Sequence, residues 1–286
     1  MSLIEKLNKN DHSFSLEFSP PKKDMPVSSV YGAMDKLARY NPDFVSITYG
    51  AGGSNRDRTV EVASHVKDMG LEAIAHLTCV GADSSQINHI LDTLQHKGIQ
   101  NVLALRGDIP QGMDKASAFI HYKHASDLIA DIKKRGDFTI GAAAYPEGHC
   151  EADNINDDIS YLKLKADLGA DFFVTQLCFD KNALVDFYEK VYKTGIKAPV
   201  ATGIMPVLNP NQIIRMSLLS ACSIPASLSK IVSRYGEDAD AFKKAGIEYA
   251  VNEITSLMKN DINKFHLYVM NKADETAQII KQSGLA

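Results

Sequence analysis

The run Ser13-Phe14-Ser15-Leu16-Glu17-Phe18 alternates polar and apolar residues and stops at Pro20-Pro21. Side chains alternate faces along a strand, so Phe14, Leu16 and Phe18 point one way and Ser15 and Glu17 the other. A carboxyl group on the inner face of a closed sheet is costly to ionise. Burial is expected to raise its pKa, which suits a general acid near neutral pH. Taken alone, such a glutamate reads more simply as a structural carboxylate. Glu17 is not alone. Five later strand-like runs end in polar groups: Thr48 and Tyr49, His76 and Thr78, Arg106-Gly107-Asp108, Tyr145 and His149, and Gln176. In parallel α/β barrels these strand ends form the ligand-binding face.

Other patterns narrow the chemistry. Residues 50–55 (GAGGSN) lie between a strand and a helix, but the sixth position is Asn. The next strand ends in Leu77-Thr78-Cys79 without a ribose-binding acid, so a dinucleotide fingerprint is not met. Asp158, Tyr161 and Lys165 share one helix face, either a solvated surface or a patch for a cofactor's ribose and phosphates. His121 and His124 lack a third ligand, and Cys79, Cys150, Cys178 and Cys222 have no paired CxxC spacing, so no metal site is expected.

The elements that position these groups repeat regularly. Strands are expected at 13–18, 44–48, 72–78, 101–105, 139–144, 172–177, 200–204 and 265–270. Their spacing suits one helix per strand, with extra helices near 228–233 and 238–259 before the last. Asn55 and Ser84 read as helix caps, and Gly98 and Gly195 as helix stops. Eight strands alternating with helices point to a (β/α)8 TIM barrel, 1–286 as one domain. The chain has 286 residues, 45% hydrophobic and 23% charged, with a net charge of -4. That balance argues against nucleic acid or a membrane as partner. No run nears the ~18 apolar residues of a membrane span. Residues 1–12 lack a signal-peptide core, so a cytoplasmic protein is expected.

The chain resembles methylenetetrahydrofolate reductase. The matching blocks are 15–21 (SLEFSPP), 44–51 (FVSITYGA), 56–59 (RDRT), 76–79 (HLTC), 104–110 (ALRGDIP), 143–152 (AAYPEGHCEA), 167–176 (DLGADFFVTQ), 203–207 (GIMPV) and 265–271 (FHLYVMN). They run in family order along nearly the whole chain, in the manner of the compact bacterial form with the catalytic barrel only.

The resemblance implies a flavoprotein of one-carbon metabolism and methionine biosynthesis. FAD would take hydride from NADH or NADPH and reduce 5,10-methylenetetrahydrofolate to 5-methyltetrahydrofolate. It makes Glu17 the general acid and Asp108 the carboxylate beside flavin and pterin. Thr48, Tyr49, Ala51, His76, Arg106, Gly107, Asp108, Ala125, Tyr145, His149, Ala152, Asp158 and Lys165 fall at flavin-site positions. Glu17, Thr48, Asp108, Gln176, Gln212 and Lys272 fall at substrate positions. Tyr161 replaces an Asn and Leu164 an Arg of other bacterial members, which implies fewer contacts to the FAD phosphates; Met216 replaces an aromatic that stacks on ligands, and Lys272 an Arg near the folate tail. A homo-oligomer is expected. Competing readings are the same chemistry fed by an electron-transfer partner protein, a flavin-free folate-binding methyltransferase, and a non-catalytic flavin-binding subunit.

Overall fold

In the computed structural model, residues 2–9, 12–49, 56–109 and 112–286 are described. The eight strands are β1 (Ser13–Phe18), β2 (Val45–Ile47), β3 (Ala73–Thr78), β4 (Asn101–Leu105), β5 (Thr139–Ala144), β6 (Phe172–Thr175), β7 (Val200–Ile204) and β8 (Lys264–Tyr268). They close in sequence order into one parallel barrel, with β8 pairing back onto β1. Four strands have the limits expected from sequence. The others start or end within two residues of those limits, the larger differences lying where the chain turns into the mouth. At β6 the Gln176 side chain itself takes the Leu177 amide (2.7 Å), replacing a ladder bond. After β8, Met270 and Asn271 adopt left-handed φ of 52° and 56°.

Strand alternation builds two separate cores. Phe14, Leu16, Phe18, Val45, Ile47, Ala75, Leu77, Val102, Ile140 and Leu267 face outward into the main apolar cluster with the helices. Inside, Phe44, Ile74, Leu103 and Phe172 fill the lower barrel, and Leu3 and Leu7 of α1 (Leu3–Lys9) plug it from below. The upper interior is left to polar side chains.

The helices start where short polar side chains can cap them. Asp83, not Ser84, caps α4 (Ser84–His96): it accepts from the Gln86 amide while the Gln86 side chain returns to the Asp83 amide. A carboxylate one residue earlier completes a reciprocal capping box that the Ser84 hydroxyl cannot. Asn55 lies outside the described residues. Gly98 and Gly195 follow the helix ends with φ of 70° and 73°, as expected of stop residues.

Three helices separate β7 from β8: α9 (Pro210–Ser220), α10 (Ala226–Tyr235) and α11 (Ala239–Met258). They carry a further apolar cluster of Leu177, Phe179, Met205, Val207, Ile213, Leu228 and Phe242. Gly246 lets α11 lie on the β7–α9 loop, since a Cβ there would stand 1.6 Å from the Val207 carbonyl oxygen. The loop is thus clamped from behind. Among the described residues, no helix is long and apolar enough to cross a membrane.

Glu253 on α11 is 6% exposed, and its Oε1 has no hydrogen-bond partner among the described residues. Burial, aided by the charge of Asp180, holds its carboxyl well above the usual value of 4.5. A raised carboxyl value means that stability drains away as pH climbs from the unfolded value towards the folded one. Glu253→Gln is therefore expected to stabilise the chain at pH 8 by about 1 kcal/mol or more, with little change at pH 4. Urea unfolding at both pH values checks this; an equal effect at both would contradict it.

Candidate active site

The closing register fixes the neighbours of Glu17. It pairs with Ser46 on β2 and with Tyr268 on β8, and Ser15 pairs with His266. All point inward, as alternation from Glu17 requires. His76 reaches the same point from β3. Its Nε2 and the Nε2 of His266 each stand 3.5 Å from Glu17 Oε2. Ser46 Oγ lies 3.2 Å from His76 Nε2 and 3.4 Å from His266 Nε2. Phe44 stacks on His266 at 5.6 Å, and Tyr268 meets it edge-on at 5.5 Å while donating to the Thr175 carbonyl. Gly203 makes room for that phenol, since a Cβ there would stand 2.6 Å from its oxygen.

The electrostatics correct one expectation. Burial alone pushes the Glu17 carboxyl up, but the His266 hydrogen bond and the charges of His76 and His266 outweigh it and hold the pKa below 4.5. Burial takes His76 down to about 4. His76 is therefore neutral near pH 7, and the largest pull on Glu17 is the His266 hydrogen bond. The sequence reading counted desolvation and missed the partner.

A second constellation spans the loops after β4 and β5. Arg106 donates to Glu151 at 2.5 Å and lies 5.0 Å over the Phe119 ring. Lys115 adds a second cation 3.7 Å from Glu151. Tyr145 packs edge-on against His149 (4.8 Å) and sits under Lys165 (5.8 Å). Lys165, on α7 (Ile155–Asp167), donates to the Ala143 carbonyl at 2.6 Å. Burial lowers its pKa to about 8 against the opposing charge of Asp158. Burial also raises Asp158, takes Tyr145 to about 12, and with the Arg106 charge lowers His149. Ala152 follows on the same loop, its amide on the His149 carbonyl (2.8 Å). The result is a cation-rich, half-buried patch beside an exposed Asp108.

Gly107 has a φ of 84°, and a Cβ there would stand 2.7 Å from Val80 Cγ1 and 2.9 Å from Thr78 Cβ. Ala125 opens α6 (Ala125–Arg135), next to the His124 carbonyl that meets Cys79 Sγ at 3.9 Å.

The remaining expected residues are placed as follows. Thr48 Oγ1 donates to Ser19 at 3.0 Å. Tyr49 is 4% exposed and its ring joins the outer cluster, so the structure does not bring that ring to the mouth. Ala51 lies outside the described residues. Gln212 uses its side chain on the β7–α9 loop, accepting from Leu208 (2.9 Å) and donating to Pro206 (3.0 Å). Lys272 is exposed at the start of α12 (Ala273–Ser283). Tyr161 and Leu164 are exposed by 57% and 44%, and Met216 packs against the α9–α11 cluster. His266, Ser46, Tyr268 and Glu151 were not singled out from sequence. Alternation along β8 marks His266 and Tyr268 as inward; Glu151, a loop residue, carries no such signal.

Fold and site together define a (β/α)8 barrel with a half-buried acid at the C-terminal ends of its strands and a cationic patch beside it. The family model for methylenetetrahydrofolate reductase matches residues 3–284, and the chain belongs to that family. It is 37% identical to methylenetetrahydrofolate reductase (NADH) 1 of Arabidopsis thaliana, covering all of this chain and 51% of that one. It is 34% identical to 5,10-methylenetetrahydrofolate reductase of Escherichia coli K12, covering 95% of this chain and 90% of that one. The chain thus spans about half the length of the plant relative. A Clostridium thermocellum protein, described as binding two copies of 5-methyl-5,6,7,8-tetrahydrofolic acid, shares the fold with a TM-score of 0.71. It is 16% identical, with full coverage of both chains.

The crowding at Gly107 yields a prediction. Gly107→Ala is expected to lower stability by about 1–3 kcal/mol, from left-handed strain plus displacement of Thr78 and Val80. Gly112→Ala, with φ of 87° and nothing within 4 Å of its Cβ, should lose only the backbone part. Equal losses in denaturant titrations of the two variants would contradict the packing argument.

Proposed function

We propose that this chain, 1–286 as one catalytic domain, reduces 5,10-methylenetetrahydrofolate to 5-methyltetrahydrofolate with electrons from NADH or NADPH and FAD as cofactor. The observation that carries the reading is Glu17. It is a carboxylate 18% exposed at the strand ends, with two imidazoles behind it. Family membership supports the same conclusion.

The rim residues fit the cofactor. Lys165 is a poorly solvated cation, and Arg106 and His149 stand on the neighbouring loops, a donor set suited to a diphosphate. In this reading Asp158 accepts from the cofactor's ribose hydroxyls, and Ala125, Ala152 and Gly107 offer it their backbone. When bound, FAD supplies a two-electron carrier between nicotinamide and folate. Tyr161 and Leu164 add carbon surface, not charge, to that rim.

The chain's own part is proton and charge management. Reduction to a 5-methyl product breaks the bond from the methylene carbon to N10, so N10 must gain a proton. Glu17 Oε2 delivers it. The cation left between N5 and the methylene carbon is stabilised by the Asp108 carboxylate. Thr48 and Gln176 border the site shared by folate and nicotinamide, while Lys272 meets the acidic folate tail. Gln212 holds the loop that carries the pterin side of the site.

Glu17→Gln keeps the size and removes the transferable proton. It is expected to slow folate reduction by about 10²–10⁴-fold, while reduction of the flavin by nicotinamide stays within about twofold of wild type. Anaerobic stopped-flow absorbance separates the two half-reactions. Equal slowing of both would remove the acid role from Glu17.

A further inference from the structure

The block 56–59 (RDRT) has no part in the chemistry proposed above, yet its side chains reach two neighbouring strand ends. It opens α3 (Arg56–Asp68). Thr59 Oγ1 donates to the Thr48 carbonyl at 2.9 Å, just past the end of β2. Arg58 reaches across to the loop after β1. Its Nη1 donates to the carbonyls of Pro21 (3.3 Å), Lys22 (3.0 Å) and Met25 (2.8 Å), and its Nη2 to that of Lys23 (2.8 Å). All four partners are backbone oxygens of one loop.

That loop has little else to hold it. Pro20, Pro21 and Pro26 bring no N–H. Among the described residues, the backbone bond within 19–26 is the one from the Met25 amide to the Lys22 carbonyl, 2.9 Å. Pro20 and Pro21 are buried, whereas residues 22–26 lie exposed at the surface. Packing therefore fixes the root of the loop and Arg58 its outer part. Four carbonyl dipoles aimed at one point repel each other unless a donor stands there. A guanidinium, with its N–H groups spread in a planar fork, can meet all four, which a single ammonium nitrogen cannot.

The start of the loop belongs to the mouth. Ser19 stands two residues after Glu17, and its hydroxyl accepts from Thr48 Oγ1 at 3.0 Å. Thr48 is thus held from two sides by adjacent residues of one helical turn. Thr59 holds its carbonyl directly, and Arg58 holds the loop that carries Ser19. Glu17 does not depend on this fastening, because the ladder pairs it with Ser46 and Tyr268. We infer that Arg58 is a positioning residue: its guanidinium fastens the loop 19–26 as one wall of the mouth and, through Ser19, sets the Thr48 hydroxyl where folate and nicotinamide take turns. Its effect falls on the binding of both ligands and not on proton delivery by Glu17.

The assignment of Thr48 rests on the proposed folate reduction, and the test has one arm that does not. In the first arm, Arg58→Lys keeps a cation at the position but loses the fork. Stopped-flow absorbance of the flavin-loaded variant follows the two half-reactions separately. The half-saturating concentrations of nicotinamide and of folate should each rise by about tenfold, the scale of one ordinary hydrogen bond. The rates at saturation should stay within about twofold of wild type, the split expected when binding alone is lost. Unchanged half-saturation for both ligands, or a fall confined to the saturated rate of folate reduction, overturns the inference.

The second arm needs no substrate. Hydrogen exchange read by mass spectrometry should be faster by about fivefold or more in peptides covering 19–26 of Arg58→Lys, with peptides from β1 and β8 unchanged. Exchange equal to wild type in 19–26, or faster throughout the barrel, overturns the inference whatever the chain's activity. Arg58→Gln should behave as Arg58→Lys does. If neither variant folds, Arg58 serves the fold and not the mouth, and the inference fails. Wild-type protein that reduces no folate, with exchange as expected in the variants, would overturn the proposed function and leave the fastening of the loop standing.

Discussion

The pairing of β1 with β8 is the constraint on which the rest depends. Five residue pairs, from Ser13 with Lys264 to Glu17 with Tyr268, close the sheet on itself. Closure removes both free edges and commits each strand to one inward and one outward face. Outward residues then bury against helices. Inward ones have nowhere to go but the barrel axis. The apolar lower layer and its α1 plug occupy one end, so polar inward groups collect at the other. Slip β8 by one residue and His266 would face the helices while Leu267 met Glu17.

That geometry sets two electrostatic regimes side by side. Around Glu17 the ionisable groups are few: one partly exposed carboxylate meets two buried imidazoles, each with a serine hydroxyl against it. Around Arg106 and Lys165 they are half-solvated and cation-rich, with Glu151 holding the guanidinium in place. The first suits a proton that must be kept and released on demand. The second suits a charged ligand that must be held across an open mouth. The β7–α9 loop, clamped by Gly246 of α11 and pinned by Gln212, closes the remaining side.

Much of this was legible in the sequence because period-2 alternation is a strong physical signal. It placed Glu17 inward, and the same rule applied to Phe265-His266-Leu267-Tyr268 marks the two inward groups beside it. The direction of the Glu17 shift was not legible, because it depends on a partner almost 250 residues away. Alternation also explains Tyr49, which follows Val45 and Ile47 to the helix side. The Glu151 contact to Arg106 joins two loops, where no periodicity operates. The Asp83 cap differs from the expected Ser84 by one residue, the usual scale of error at a helix start.

The central claim, that this barrel couples nicotinamide oxidation to folate reduction, is tested most directly by the visible spectrum of the purified chain under anaerobic conditions. The account predicts a flavin absorbance that bleaches on adding NADH or NADPH and returns on adding 5,10-methylenetetrahydrofolate. A chain that takes up no flavin when incubated with FAD would contradict it. So would a reduced flavin that stays bleached in the presence of the folate.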